Sequence, residues 1–127
     1  MARQQQTVGD IMSDRLYVGI DLGTYQSTIA SSDGKMKTIE TIVGRPKDPV
    51  ARNFLKKDVL FGDDALKHKL ACNLYRPMAA GVTQDDEENL AAAKAFVTHL
   101  IDTVEPEEYD EVFGVITSGW AKPIRKI

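Results

Sequence analysis

The stretch Leu16 to Thr28, LYVGIDLGTYQST, places the tightest constraint on how this chain folds. An apolar run ends on a carboxylate and turns at once through a glycine into hydroxyl-bearing and amide-bearing residues. From Leu16 to Asp21 the residues are mostly apolar at consecutive positions, the pattern of a strand buried on both faces in mid-sheet. A second apolar run, STIASS, follows the Gly-Thr-Tyr-Gln turn. Asp33-Gly34 then signals a tight two-residue hairpin, whose central residues both favour positive φ. KMKTIETIVG alternates loosely and supplies a third strand, so the chain opens as an antiparallel meander.

The segment from Gly44 to Asp86 is less regular. GRPKDPVARNF holds two prolines and reads as a loop or edge segment. VLFGDDALKHKL reads as a short strand followed by a short helix, with Asp63 or Asp64 placed to cap it. Leu90, Ala93, Phe96, Val97, Leu100, Ile101 and Val104 recur at helical spacing and make one apolar stripe. The acids of TQDDEEN precede it at the positive end of the helix dipole, with Asp85 and Glu88 at capping-box spacing. Pro106 ends the helix, and EVFGVITSG reads as a further buried strand. Strands first, then a helix feeding another strand, make this an α/β chain with a mixed sheet.

Bulk properties narrow the functional classes. The 127 residues make one domain or part of a larger one, with 43% apolar and 28% charged residues. A net charge of −3 and scattered lysines argue against nucleic acid and against a polybasic membrane patch. Cys72 is the only cysteine, which rules out an intrachain disulfide and suits a reducing cytoplasm. No apolar stretch has the length of a membrane span. Residues 1–14 read as a polar, frayed extension without a secretion signal. His68 and His99 lack a second metal ligand at suitable spacing, and Cys72 reads as a small apolar filler.

The turn after Asp21 carries the chemistry. A nucleotide phosphate chain with Mg²⁺ needs inward-pointing backbone N–H groups, a glycine for close approach, a hydroxyl, and a carboxylate acting on the metal through water. Asp21, Gly23, Thr24, Tyr25 and Gln26 offer these within one turn, Asp21 on the metal side. The competing reading is an ordinary hairpin turn, in which Asp and Gly are common. Neither a Walker motif nor a dinucleotide fingerprint is present.

YVGIDLGTYQSTIA resembles the first phosphate-binding segment of the superfamily that joins actin, heat-shock-70 chaperones and sugar kinases. VLFGDDALKHKL followed by YRPMAAGVTQDDE is similar to the bacterial actins, through Arg76, Pro77, Met78, Gly81 and Val82. The runs IVGRPKD and THLIDTVEPEEYDEV extend the likeness toward the filament proteins that organise magnetosomes. The resemblance implies the actin-like ATPase (ribonuclease H-like) fold, present as an incomplete N-terminal portion over residues 15–117. It implies ATP with Mg²⁺ as cofactor, held by Gly23, Thr24 and Tyr25 with Asp21 near the metal. It also implies a small outer subdomain over about residues 44–86, used in filament contacts, and a cytoplasmic filament as the setting.

Complete bacterial actins are much longer, and bring a second phosphate loop, a water-positioning helix and a second domain. The chain is therefore expected not to be an autonomous ATPase. The ending WAKPIRKI, within residues 118–127, departs from the family pattern and reads as a foreign tail, as a frameshift or premature stop would give. Two rival functions stay open at this point. One is a stand-alone interaction module that binds or caps a full-length actin-like filament; the other is a fragment of a heat-shock-70-like or sugar-kinase-like ATPase.

Overall fold

The computed structural model describes residues 14–79, 87–118 and 123–126. Its main sheet has five strands: β1 (Arg15–Leu22), β2 (Gln26–Ser31), β3 (Met36–Glu40), β7 (Glu111–Ser118) and β8 (Pro123–Lys126). They lie in the order β3-β2-β1-β7-β8. β1 pairs antiparallel with β2 and parallel with β7 along its whole length, from Arg15 opposite Glu111 to Leu22 opposite Ser118. The sheet is therefore mixed. A second, antiparallel sheet of three strands, β5-β4-β6, holds β4 (Val43–Pro46), β5 (Leu60–Phe61) and β6 (Cys72–Tyr75). Among the described residues the α-helices are α1 (Pro49–Leu55), α2 (Asp63–Lys67) and α3 (Glu87–Asp102).

One core joins the main sheet to α3. Leu16, Val18, Ile20 and Leu22 of β1 and Ile29 of β2 share one buried cluster with Ala92, Phe96 and Leu100 of α3, joined by Val104, Val43 and Met78. A parallel β1–β7 pair needs a crossover between its strands, and α3 supplies the helical part of it. Fully burying a residue such as Phe96 or Leu100 contributes about 1.5–3 kcal/mol. A smaller cluster of Ile42, Leu60, Ala65 and Cys72 holds the second sheet to α2.

Several expectations need correction. β1 is not buried on both faces; its burial alternates strictly, exposed at Arg15, Tyr17, Gly19 and Asp21 and buried at the residues between. Among the described residues only one face of the main sheet carries a helix, so a run apolar on both sides leaves Tyr17 against solvent, stacked on Phe113 at 5.7 Å. The Asp33-Gly34 connection is longer than two residues, and only Gly34 takes positive φ, at 97°. Ser31 N–H bonds the Lys35 carbonyl at 2.9 Å and closes the wider loop. The third strand is two strands, broken at Thr41-Ile42, where the chain passes from one sheet to the other.

The segment read as a loop contains β4 and α1. Asp48 caps α1 by accepting from Ala51 N–H at 2.8 Å, and Pro49 starts the helix with φ already suited to it. Neither Asp63 nor Asp64 caps α2. That position belongs to Gly62, whose φ of 60° and contact with Ile39 leave no room for a side chain. Asp64 instead pairs with Lys57 at 3.0 Å and lies beside His68. Cys72 caps the short 3-10 helix Lys69–Ala71 and opens β6; it is buried, and burial raises its thiol pKa. α3 ends at Asp102, ahead of Pro106, with the Thr103 hydroxyl donating to the Leu100 carbonyl at 2.6 Å. Gly81, Val82 and the expected Asp85 cap lie outside the described residues.

The stripe on α3 divides. Phe96 and Leu100 of the stripe face the sheet together with Ala92, which the stripe did not include, whereas Leu90 remains 44% exposed. Phe96→Ala is expected to cost about 3–5 kcal/mol and Leu90→Ala under 1 kcal/mol, as read by urea denaturation.

His99 of α3 stacks on Phe61 of β5, ring centroids 4.2 Å apart, and so ties the two sheets. Burial lowers its pKa, against a smaller opposing pull from Asp102. In the window between that lowered value and the ordinary 6.5 the unfolded chain binds more protons. Stability is thus full above the ordinary value and falls as pH drops through the window. His99→Phe, which keeps an aromatic stack, is expected to remove this part of the acid dependence in melts taken from pH 7.5 down to 5.

Candidate functional site

The turn between β1 and β2 sits at the end of the two central strands. Register places Asp21 opposite Thr28 on one side and Thr117 on the other, and Thr28 opposite Thr38. Paired residues share a face, so one carboxylate lies in a row of three threonines on the open face of the sheet. Thr28 and Thr38 hydroxyls are 3.0 Å apart, and the Thr117 hydroxyl donates to the Ile20 carbonyl at 3.3 Å. Among the described residues no hydrogen bond or ion pair engages the Asp21 carboxylate. It is exposed and available to a cation or to metal-bound water.

Gly23 is required by space. A Cβ there would stand 2.2 Å from the Gln26 carbonyl oxygen, a separation that backbone cannot relieve cheaply. Its N–H donates to Ser27 Oγ at 3.3 Å, and Ser27 Oγ is 2.6 Å from Thr41 Oγ1. Both hydroxyl residues are fully buried. Thr41 N–H in turn donates to the Tyr25 carbonyl at 2.8 Å. The turn is therefore fastened from below at two points by the residues where the chain leaves the main sheet. Thr24 is half-buried, and Tyr25 and Gln26 are exposed, Tyr25 to 66%.

The structure brings all five sequence-predicted residues to one end of the sheet. Of these, Gly23 shapes the turn and gives its own amide inward, leaving Asp21, Thr24, Tyr25 and Gln26 to face outward. Ser27 and Thr41 escaped the sequence reading. A period-two count from buried Ile29 puts Ser27 on the covered face, but nothing in the sequence pairs it with Thr41. Arg76 was noted only as part of a family pattern, yet its guanidinium lies 5.4 Å from the Tyr25 ring centroid. His68, by contrast, is placed away from the turn, its Nδ1 3.0 Å from the Asp64 carbonyl. Among the described residues no group of three metal-binding side chains comes together. Mg²⁺ commonly takes one or two carboxylates and fills its remaining positions with water and phosphate, so a lone free carboxylate beside a tight glycine turn fits it.

Comparison with known proteins bears on the fold. The chain is 32% identical over 104 residues to the actin-like protein MamK of Paramagnetospirillum magneticum AMB-1, covering 81% of this chain and 30% of that protein. MamK of Magnetospirillum gryphiswaldense MSR-1 matches at 32% over the same share of this chain and 29% of its own length. Among solved structures, a non-polymerising MamK mutant bound to AMPPNP superposes with TM-score 0.74 at 31% identity, over 81% of this chain and 32% of that one. The MamK double helical filament superposes with TM-score 0.76 at 28% identity and the same coverage. The chain is actin-like. It corresponds to the N-terminal part of MamK-type proteins and spans about a third of the length of the relatives it matches. No family model matches it. No helix among the described residues is long and apolar enough to cross a membrane.

Ser27→Ala leaves the buried Thr41 hydroxyl without its partner and frees the Gly23 amide. It is expected to cost about 1–3 kcal/mol in urea unfolding, whereas Thr28→Ala on the open face changes stability by under about 0.5 kcal/mol.

Proposed function

We propose that this chain is the nucleotide-binding N-terminal portion of an actin-like filament protein related to MamK, working with ATP and Mg²⁺ in a cytoplasmic filament. One observation carries the reading: a free carboxylate at Asp21 beside a glycine turn that tolerates no Cβ, in a chain whose relatives include a MamK structure bound to AMPPNP. Asp21 would hold the metal through water, and Thr24, Tyr25 and Gln26 would offer hydroxyl and amide donors to the terminal phosphates. The metal, when bound, neutralises phosphate charge. The sheet β5-β4-β6 with α1 and α2 is assigned to the small outer subdomain, over about residues 44–86, which makes contacts along the filament. A role in organising magnetosomes is part of the same reading.

Hydrolysis needs charge-stabilising groups on both sides of the reacting phosphoryl. The turn supplies one side, so the chain alone is expected to bind nucleotide without turning it over at a useful rate.

A second reading has its own support. Leu90, Ala93, Val97 and Ile101 of α3, with Leu22, Pro77 and Met78, line an open apolar groove of about 540 Å³. The opposite side of the sheet exposes Tyr17, Phe113 and Val115. Such surfaces favour association, and a chain that joins or caps an actin-like filament would use them.

Thermal melts with and without excess Mg·ATP test the first reading. At about a hundred times Kd the nucleotide should add roughly 2.7 kcal/mol to the folded state, and Asp21→Ala should abolish most of that gain. A cooperative melt that ignores nucleotide would overturn the nucleotide role and leave the interaction reading.

A further inference from the structure

Arg76 follows β6 directly and reaches from the second sheet to the turn that ends β1. Its guanidinium carbon lies 5.4 Å from the centroid of the Tyr25 ring. Its Nη2 stands 3.4 Å from Oε2 of Glu40, the last residue of β3, whose backbone is paired with Gln26. That distance is at the long end for a hydrogen bond and leaves the guanidinium only loosely committed to the carboxylate. Nη1 is buried and has no hydrogen-bond partner. A buried donor without an acceptor is unfavourable, and it persists where packing holds the group for another purpose.

The packing that holds it is the ring of Tyr25. Arginine presents a planar cation that stacks on an aromatic face, which a lysine ammonium does not reproduce. Tyr25 is otherwise largely exposed, and among the described residues the Arg76 guanidinium and the Thr41–Tyr25 backbone bond are what constrain it. The backbone before Arg76 is fixed in turn, because Tyr75 pairs with Val43 in the second sheet. A rigid line therefore runs from β4 through Tyr75 and Arg76 to the Tyr25 ring.

We infer that Arg76 is a positioning residue for the Thr24–Gln26 turn, holding it through Tyr25 and coupling its placement to the second sheet. The inference rests on the reading of that turn as a phosphate site. A shift of the second sheet would move Arg76 and loosen the turn; an anion that orders the turn would draw Arg76, and with it β6, toward one position. An approaching phosphate also offers the kind of acceptor that Nη1 lacks.

Amide hydrogen exchange on the full chain tests this without depending on nucleotide. The reporter is Thr41 N–H, which bonds the Tyr25 carbonyl. In Arg76→Met its exchange should rise about fivefold, the scale of one cation–π contact. Amides of Val18 and Ile20 in β1 should not change. Tyr25→Leu should act like Arg76→Met, and the double variant should add nothing further, whereas Tyr25→Phe, which keeps the ring, should behave as the wild type. Arg76→Lys should fall between. In parallel, Arg76→Met should weaken Mg·ATP binding about tenfold in titrations, through the loosened turn.

Unchanged exchange at Thr41 in Arg76→Met would overturn the inference. So would a uniform rise across β1 and the turn with a lowered Tm, since that marks Arg76 as a general stabiliser. If the wild type binds no nucleotide while Thr41 responds as described, the positioning role stands and the phosphate reading of the turn falls.

Discussion

The parallel pairing of β1 with β7 is the interaction on which the rest of the structure depends. The two strands are distant in the chain, and they are brought together only because α3 buries Phe96, Leu100 and Ala92 against the inner face of β1. A parallel pair cannot be closed by a hairpin, so the sheet exists only as long as the helix holds that packing. Every other strand of the main sheet is added at an edge of this pair. The Asp21 row, the turn above it and the exposed aromatic patch on the reverse face all inherit their positions from it.

The turn between β1 and β2 is held from beneath by residues outside it. Ser27 and Thr41 form a buried hydroxyl pair, and the backbone of Thr41 returns to Tyr25. Thr41 is also where the chain leaves β3 for the second sheet. One short break thus fastens the turn and launches the small sheet. Gly62 lets the sheets approach there, because Ile39 occupies the space a side chain would need. His99 on Phe61 and Arg76 on Tyr25 are two further ties across the same junction.

Much of this was legible in the residues. The apolar run of β1, the Asp21-Gly23 turn, the strand β2, the α3 stripe and the β7 run were all read correctly as elements, although β7, read as buried, exposes Phe113 and Val115, and the mixed sheet followed from their order. The failures share a cause. Asp48-Pro49 is a sound helix start, yet two prolines in GRPKDPVARNF were read as breaking structure rather than as punctuating β4 and α1. Thr41-Ile42 looked like the interior of one strand, since nothing in a local apolar pattern shows that a chain changes sheets. The tie between Arg76 and Tyr25 spans a separation over which no periodicity operates.

By itself the sequence determined the chemistry available at the turn. The order Asp21, Gly23, Thr24 sets a carboxylate, a close-approach point and a hydroxyl within a few bonds of one another, because local geometry follows from local residues. It also determined which side of α3 is apolar. Tertiary structure alone decided which part of that stripe is buried, which face of β1 meets solvent, and which residues fasten the turn. Those outcomes depend on what packs against each face, and packing is a property of segments that meet in space after long excursions of the chain.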